Sequence, residues 1–335
     1  MRAVYGDLRA PFAWRRRRAQ LCAAAACTFG WAGRGCPIHD PRLPVRAQFS
    51  GHETFALRAG WPKKAFDAVR RNPGAFSSDD AIARFGVGKN MVRSIRHWAT
   101  ATGVVEPAGR GESAPTALGA AVFADGGADP FLEDAGTPWL LHWRLCRQPA
   151  PATLFHFVFG VWTGTVIEDA ALRASLVPWL ERRGDRMPSP ATLKRDRQAL
   201  VNCYAPPART GDLDDRLATP LAALGLVGLD AGGTPVLRRG AARAVPPWVF
   251  AHAVLDTWAR RAPGRETLAF SEVVHADASP GRVFGLGEDA ALDVVDRLER
   301  TGQAPFAYRD SAGVRQLFRT DAGATPAAAL AHHYA

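Results

Sequence analysis

The chain has 335 residues, 47% apolar and 22% charged, enough to bury cores in two or three domains, and no apolar run is long enough to span a bilayer. Its formal net charge of +10 is local: residues 1–47 hold nine arginines against two acids, which leaves only +3 for the remainder and excludes a chain that is basic throughout. Five cysteines, an odd number with three in the irregular first segment, argue against a disulfide framework and place the protein in a reducing, cytoplasmic compartment.

Residues 1–47 read as a disordered basic tail. Arg15–Arg18 precede an Ala-rich run that superficially resembles a signal peptide, but no convincing cleavage site follows. Cys36 and His39 supply one half of a zinc-site spacing without the other half. Flexible arginines here would add nonspecific attraction to DNA.

Residues 48–125 read as an N-terminal winged helix domain. The first helix, over residues 61–71, carries Pro62 in its first turn and turns Ala65, Phe66 and Val69 inward, ending at Asn72-Pro73-Gly74. The second, over residues 78–85, takes Ser77 or Ser78 as N-cap with Asp79 and Asp80 in its first turn. Gly86-Val87-Gly88 makes a tight turn into the third, residues 88–102. There Met91, Val92, Ile95, Trp98 and Ala99 recur at steps of three and four, so they share a buried face. The other face keeps Lys89, Asn90, Arg93, Arg96 and His97, side chains suited to phosphates and base edges. Gly103 stops the helix, Val104-Val105-Glu106 reads as a strand, Gly109-Arg110-Gly111 as a wing tip, and residues 116–123 as the return. From Phe49 to Thr102 nine Lys and Arg face four acids, the basic stripe expected of a DNA reader. The competing reading is a winged helix that binds protein, with those charges merely solvated.

Residues 126–245 form a helical middle domain with winged-helix-like features. Residues 131–146 and 153–162 are apolar nearly all round, which means burial of Trp139, Trp143, Phe155, Phe157, Phe159 and Trp162. Helices follow at 166–183 and 190–204; the second, with Ser189 as N-cap, exposes Lys194, Arg195, Arg197 and Gln198, either as a second recognition helix or as a solvated face. Asp230-Ala-Gly-Gly then marks a hairpin. Residues 246–323 repeat this grammar as a C-terminal winged-helix-like domain, with helices at 248–261, 268–275 and 288–300 and strands around Asp310-Ser-Ala-Gly; residues 324–335 form a tail. The predicted fold is mainly α with small β-hairpin wings (α+β), tandem winged helix-turn-helix units around a helical middle.

No catalytic pattern is complete. His52-Glu53 offers acid-base chemistry, but Ala56 stands where the zincin motif needs its second histidine, so His52, Glu53 and Thr54 read as positioning residues. Gly86-Val-Gly-Lys89-Asn90 fails as a phosphate loop, with Ala83 and Asn90 at its defining positions. Asp212, Asp214 and Asp215 cluster in a polar loop that solvation explains. The expectation is a protein with no catalytic residues, metal or cofactor; a metal-dependent DNA-processing enzyme using His52 and Glu53 is the enzymatic alternative.

Phe49-Ser-Gly-His-Glu-Thr-Phe, Leu57-Arg58-x-Gly60-Trp61-x-Lys63-Lys64 and Gly86-Val-Gly-Lys-Asn-Met-Val-Arg-Ser-Ile-Arg-x-Trp98 resemble the opening of the bacterial family known as domain of unknown function 4007. Further similarities lie at Asp129-Pro130-x-Leu132-Glu133-Asp134, Thr137-x-Trp139-Leu-Leu-His-Trp143, Thr192-Leu-Lys-Arg-Asp196 and Ser279-Pro-Gly-Arg-Val-Phe284. The resemblance implies a protein associated with DNA-sulfur-modification and anti-phage defence genes, with protein partners of such a complex. The sequence thus predicts duplex DNA as the ligand: Lys89, Asn90, Arg93, Arg96 and His97 in the major groove, Lys63 and Lys64 on phosphates, and Arg110 at the wing.

Overall fold

Three local rules, apolar spacing, helix stops and caps, generate most of the elements; the computed structural model describes residues 45–206, 219–240 and 244–335. The unit set out here is Pro44–His333, and the sequence divisions at 125 and 245 fall inside it. It is mainly helical with small antiparallel sheets, an α+β architecture. Residues 1–44 of the predicted disordered tail, with the Cys36–His39 pair, and the 212–215 acids lie outside the described residues.

Helix α1 (Gly60–Arg71) buries Ala65, Phe66 and Val69 as its spacing requires. Helix α2 (Ala81–Phe85) is shorter than predicted. The amides of Ser77 and Ser78 close turns onto Gly74 O, and Ser78 Oγ bonds Ala75 O, so neither serine caps the helix. Gly86, at φ 59°, supplies the left-handed stop that a Cβ would disfavour. Helix α3 (Lys89–Ala101) packs Val92, Ser94, Ile95, Trp98 and Ala99 inward. Strands β1 (Val105–Pro107) and β2 (Ser113–Pro115) then pair as an antiparallel hairpin.

The return past β2 differs from expectation. Thr116 accepts the Gly119 amide and caps a helix, α4 (Ala117–Phe123), where the sequence suggests a returning segment of the wing. Likewise α5 (Gly136–Cys146) begins later than predicted, because the Asp129 carboxylate holds the amides of Glu133 and Asp134 and the Thr137 hydroxyl in a turn. Phe131 is left 70% exposed.

Helix α6 (Thr153–His156) runs on as a π turn, Phe157–Val161, whose terminal carbonyls receive Arg239 and Arg282. Cations at a helix C-terminus offset its partial negative charge. The aromatic core is as predicted, with His142 at its centre. Its Nε2 lies 2.7 Å from Val283 O and must donate, so Nδ1 accepts from the Tyr204 hydroxyl at 2.6 Å. Helices α7 (Asp169–Arg183) and α8 (Pro190–Tyr204) follow, with Ser189 capping α8 as expected. A 3-10 turn, Pro220–Leu224, and the hairpin of β3 (Val227–Leu229) and β4 (Pro235–Leu237) close the middle.

In the last third, α9 (Pro247–Arg261) packs on α12 (Glu288–Glu299). Between them come β5 (Thr267–Ala269), α10 (Phe270–Val274) and α11 (Pro280–Phe284). Strand β5 joins β6 (Phe306–Ser311) and β7 (Val314–Arg319) in a sheet of order β5-β7-β6. The stretch assigned to a tail instead forms α13 (Pro326–His333), which buries Ala329 and Leu330, stacks His332 on Trp248 and sets His333 against Asp134.

Candidate nucleic-acid interface

Helix α3 turns Lys89, Asn90 and Arg93 to solvent. Its N-terminal turn carries Lys89 and Asn90 because Gly86–Gly88 is too short to cover them. Arg93 is 56% exposed at its side chain, with one contact at 3.5 Å to Glu53 Oε1, a pair that water screens and that costs little to break. Arg96, one turn on, is half-buried. Arg110 is exposed at the tip between β1 and β2, and Ser77 Oγ steadies that tip by donating to Gly111 O at 2.7 Å.

The structure withdraws three predicted contacts from this face. His97 is packed edge-on against His52 and Trp98, and its Nε2 is buried with no partner among the described residues. Burial, with His52 adding to it, pushes its pKa down to about 3, so at neutral pH it is an uncharged packing group and not a phosphate cation. Lys63 is held at 2.9 Å by Asp67 and at 2.7 Å by Asp125, its side chain only 14% exposed. Lys64 is exposed at the residue level, but its ammonium donates to Phe85 O at 2.7 Å, which fixes α1 on the end of α2.

Residues 50–54 form the feature that positions α3. Ser50, Gly51, Glu53 and Thr54 all have positive φ (67°, 94°, 48° and 69°). Three of these are not glycine, so the conformation is held by bonds and not by preference. His52 is 3% exposed, and both ring nitrogens are engaged. Nδ1 accepts the Thr54 amide at 3.1 Å, which leaves Nε2 carrying the proton and donating to Asp196 Oδ1 at 3.1 Å. The Ser50 amide donates to both oxygens of the same carboxylate. The His52 carbonyl accepts from Ser94 Oγ of α3 at 3.0 Å. A Cβ on Gly51 would stand 2.5 Å from His97 Nδ1, so only glycine lets the loop lie this close to α3. Both ring nitrogens of His52 are thus committed, one to the loop's own backbone and one to α8.

Asp196, which closes the Thr192–Asp196 similarity, is given no role by sequence reasoning. It lies in α8, among Lys194, Arg195 and Arg197, and is the helix's one acid and 4% exposed. A lone acid on the buried side of an otherwise cationic helix was the available signal. Two turns later Cys203 Sγ receives the Leu57 amide at 3.4 Å, so the 50–57 segment runs between α3 and α8. Among the described residues no group of three or more His, Cys, Asp or Glu gathers as metal ligands, and no helix is long and apolar enough to cross a membrane.

The family described as "Protein of unknown function (DUF4007)" matches residues 49–334. Two solved structures share the fold. One, a magnesium ion-bound SspB crystal structure, is 27% identical, with a TM-score of 0.75 over 86% of this chain and 87% of that one. The other, an SspB crystal structure, is 28% identical with the same TM-score and coverage. No curated protein matches.

Proposed function

This chain belongs to the DUF4007 family, and we propose that it is a non-enzymatic, cytoplasmic duplex-DNA-binding protein, the recognition or regulatory component of a bacterial DNA-modification or anti-phage defence system. In this reading α1 to α3 with the β1–β2 hairpin are a winged helix-turn-helix, and the elements around β3–β4 and β6–β7 are related units. Helix α3 enters the major groove with Lys89, Asn90, Arg93 and Arg96, while Arg110 meets a phosphate at the wing. The observation that carries it is the outward face of α3: three exposed polar or cationic side chains on a helix whose opposite side is packed through Val92, Ile95, Trp98 and Ala99. Protein partners follow from the resemblance.

A mobility-shift titration against salt tests the reading. Arg93→Ala with Arg96→Ala should weaken duplex binding and lower the slope of log K against log salt by about 0.9 for each phosphate contact removed. Unchanged affinity and slope would remove the proposal.

The magnesium-bound neighbour favours a second reading, metal-dependent processing of DNA by residues about His52 and Glu53. Incubating supercoiled plasmid with the protein and Mg²⁺ or Mn²⁺ should then give nicked or cut DNA, and Glu53→Gln should lose it. No turnover with either metal retires this alternative.

A further inference from the structure

We propose that α8 is a second contact to the same duplex, with Lys194 and Arg195 gripping the sugar-phosphate backbone beside the groove that α3 occupies; this rests on the DNA-binding reading above. Its argument is one of charge and placement. Both side chains are exposed. The helix's only acid, Asp196, does not oppose them, because it is turned inward and held by His52 and the Ser50 amide. Arg197 is spent on Asp169 at 2.6 Å and on Ile167 O, so the Asp169 carboxylate is neutralised. Arg173 of α7 shares a shallow cleft with Lys194 and Asp169 and adds a third exposed cation.

Placement follows from the 50–54 loop. On α3, Ser94, His97 and Trp98 meet this loop, and at 100° per residue they form the flank that borders Asn90 and Arg93. The loop's other side is sealed to α8 through Asp196. Helix α8 therefore lies beyond this loop on the Asn90–Arg93 flank of α3, with Arg195 about 100° around from the inward Asp196 and Lys194 about 160° around, on the α7 side. A duplex seated on α3 presents a phosphate strand to that flank, and ammonium and guanidinium groups with no ion pair among the described residues match it.

The test compares salt titrations of duplex binding for the full chain, Arg93→Ala, and the double variant Lys194→Ala with Arg195→Ala. The double variant should keep the wild-type melting temperature, since both side chains are exposed. It should lower the salt slope by about 1.8 and weaken binding by roughly 5- to 10-fold per contact at 0.1 M salt. Wild-type binding that is sensitive to Arg93→Ala but unaltered in slope by the double variant overturns this inference alone. Absence of duplex binding by the wild type overturns the DNA-binding reading and this inference with it.

Discussion

Replacing Asp196 by alanine removes the acceptor of two donors at once, the buried His52 Nε2–H and the part-buried Ser50 amide, each 3.1 Å away. An unsatisfied buried donor costs about 1–3 kcal/mol. Relaxation of a loop whose non-glycine residues sit at positive φ returns part of that, on the order of 1 kcal/mol in all. A net loss of about 2 kcal/mol follows for Asp196→Ala, carried mainly by His52. Asp196→Asn keeps one carbonyl oxygen for His52 and loses part of the Ser50 bond, so its loss is about 1 kcal/mol. Urea unfolding followed by tryptophan fluorescence is suited to this, because Trp98 stacks on His52 with ring centroids 6.1 Å apart. The order should be wild type, then asparagine, then alanine. An alanine variant within about 0.5 kcal/mol of wild type refutes the claim that this carboxylate holds the 50–54 loop.

Gly119→Ala should destabilise by at least about 2 kcal/mol, since the new Cβ would stand 2.1 Å from Val104 O; an unchanged melting temperature would contradict this packing. Burial holds the pKa of His97 near 3 and those of His156 and His252 near 4. The unfolded chain binds these protons near pH 6.5 and the folded one does not, so the contribution is level above that pH and declines from there toward pH 4. Between pH 7.5 and 5.5 the urea midpoint should fall by the equivalent of on the order of 3 kcal/mol, and a flat midpoint excludes buried neutral histidines. In duplex binding, Lys89→Ala should weaken affinity about 5- to 10-fold, while Lys63→Ala, already held by Asp67 and Asp125, should change it less than about 3-fold. Equal effects would mean that the internal carboxylates do not hold Lys63 in solution.

The parts whose causes are local are legible in the residues alone. The spacing of Val92, Ile95, Trp98 and Ala99 fixed the packed side of α3 and hence the outward place of Lys89, Asn90 and Arg93, because a helix converts linear spacing into a face. Gly86 and Gly103 marked helix stops through φ values that only the missing Cβ makes easy. Boundaries misjudged at Ser78, Thr116 and Phe131 were those where a side-chain cap or turn competed with periodicity. Which cations are free to meet a ligand depends on pairings between residues far apart in the chain. Lys63 is neutralised by Asp125, 62 positions away, and His52 is locked by Asp196, 144 positions away. Such pairings leave no trace in local pattern, since a charge reads the same along the chain whether water or a distant carboxylate will surround it.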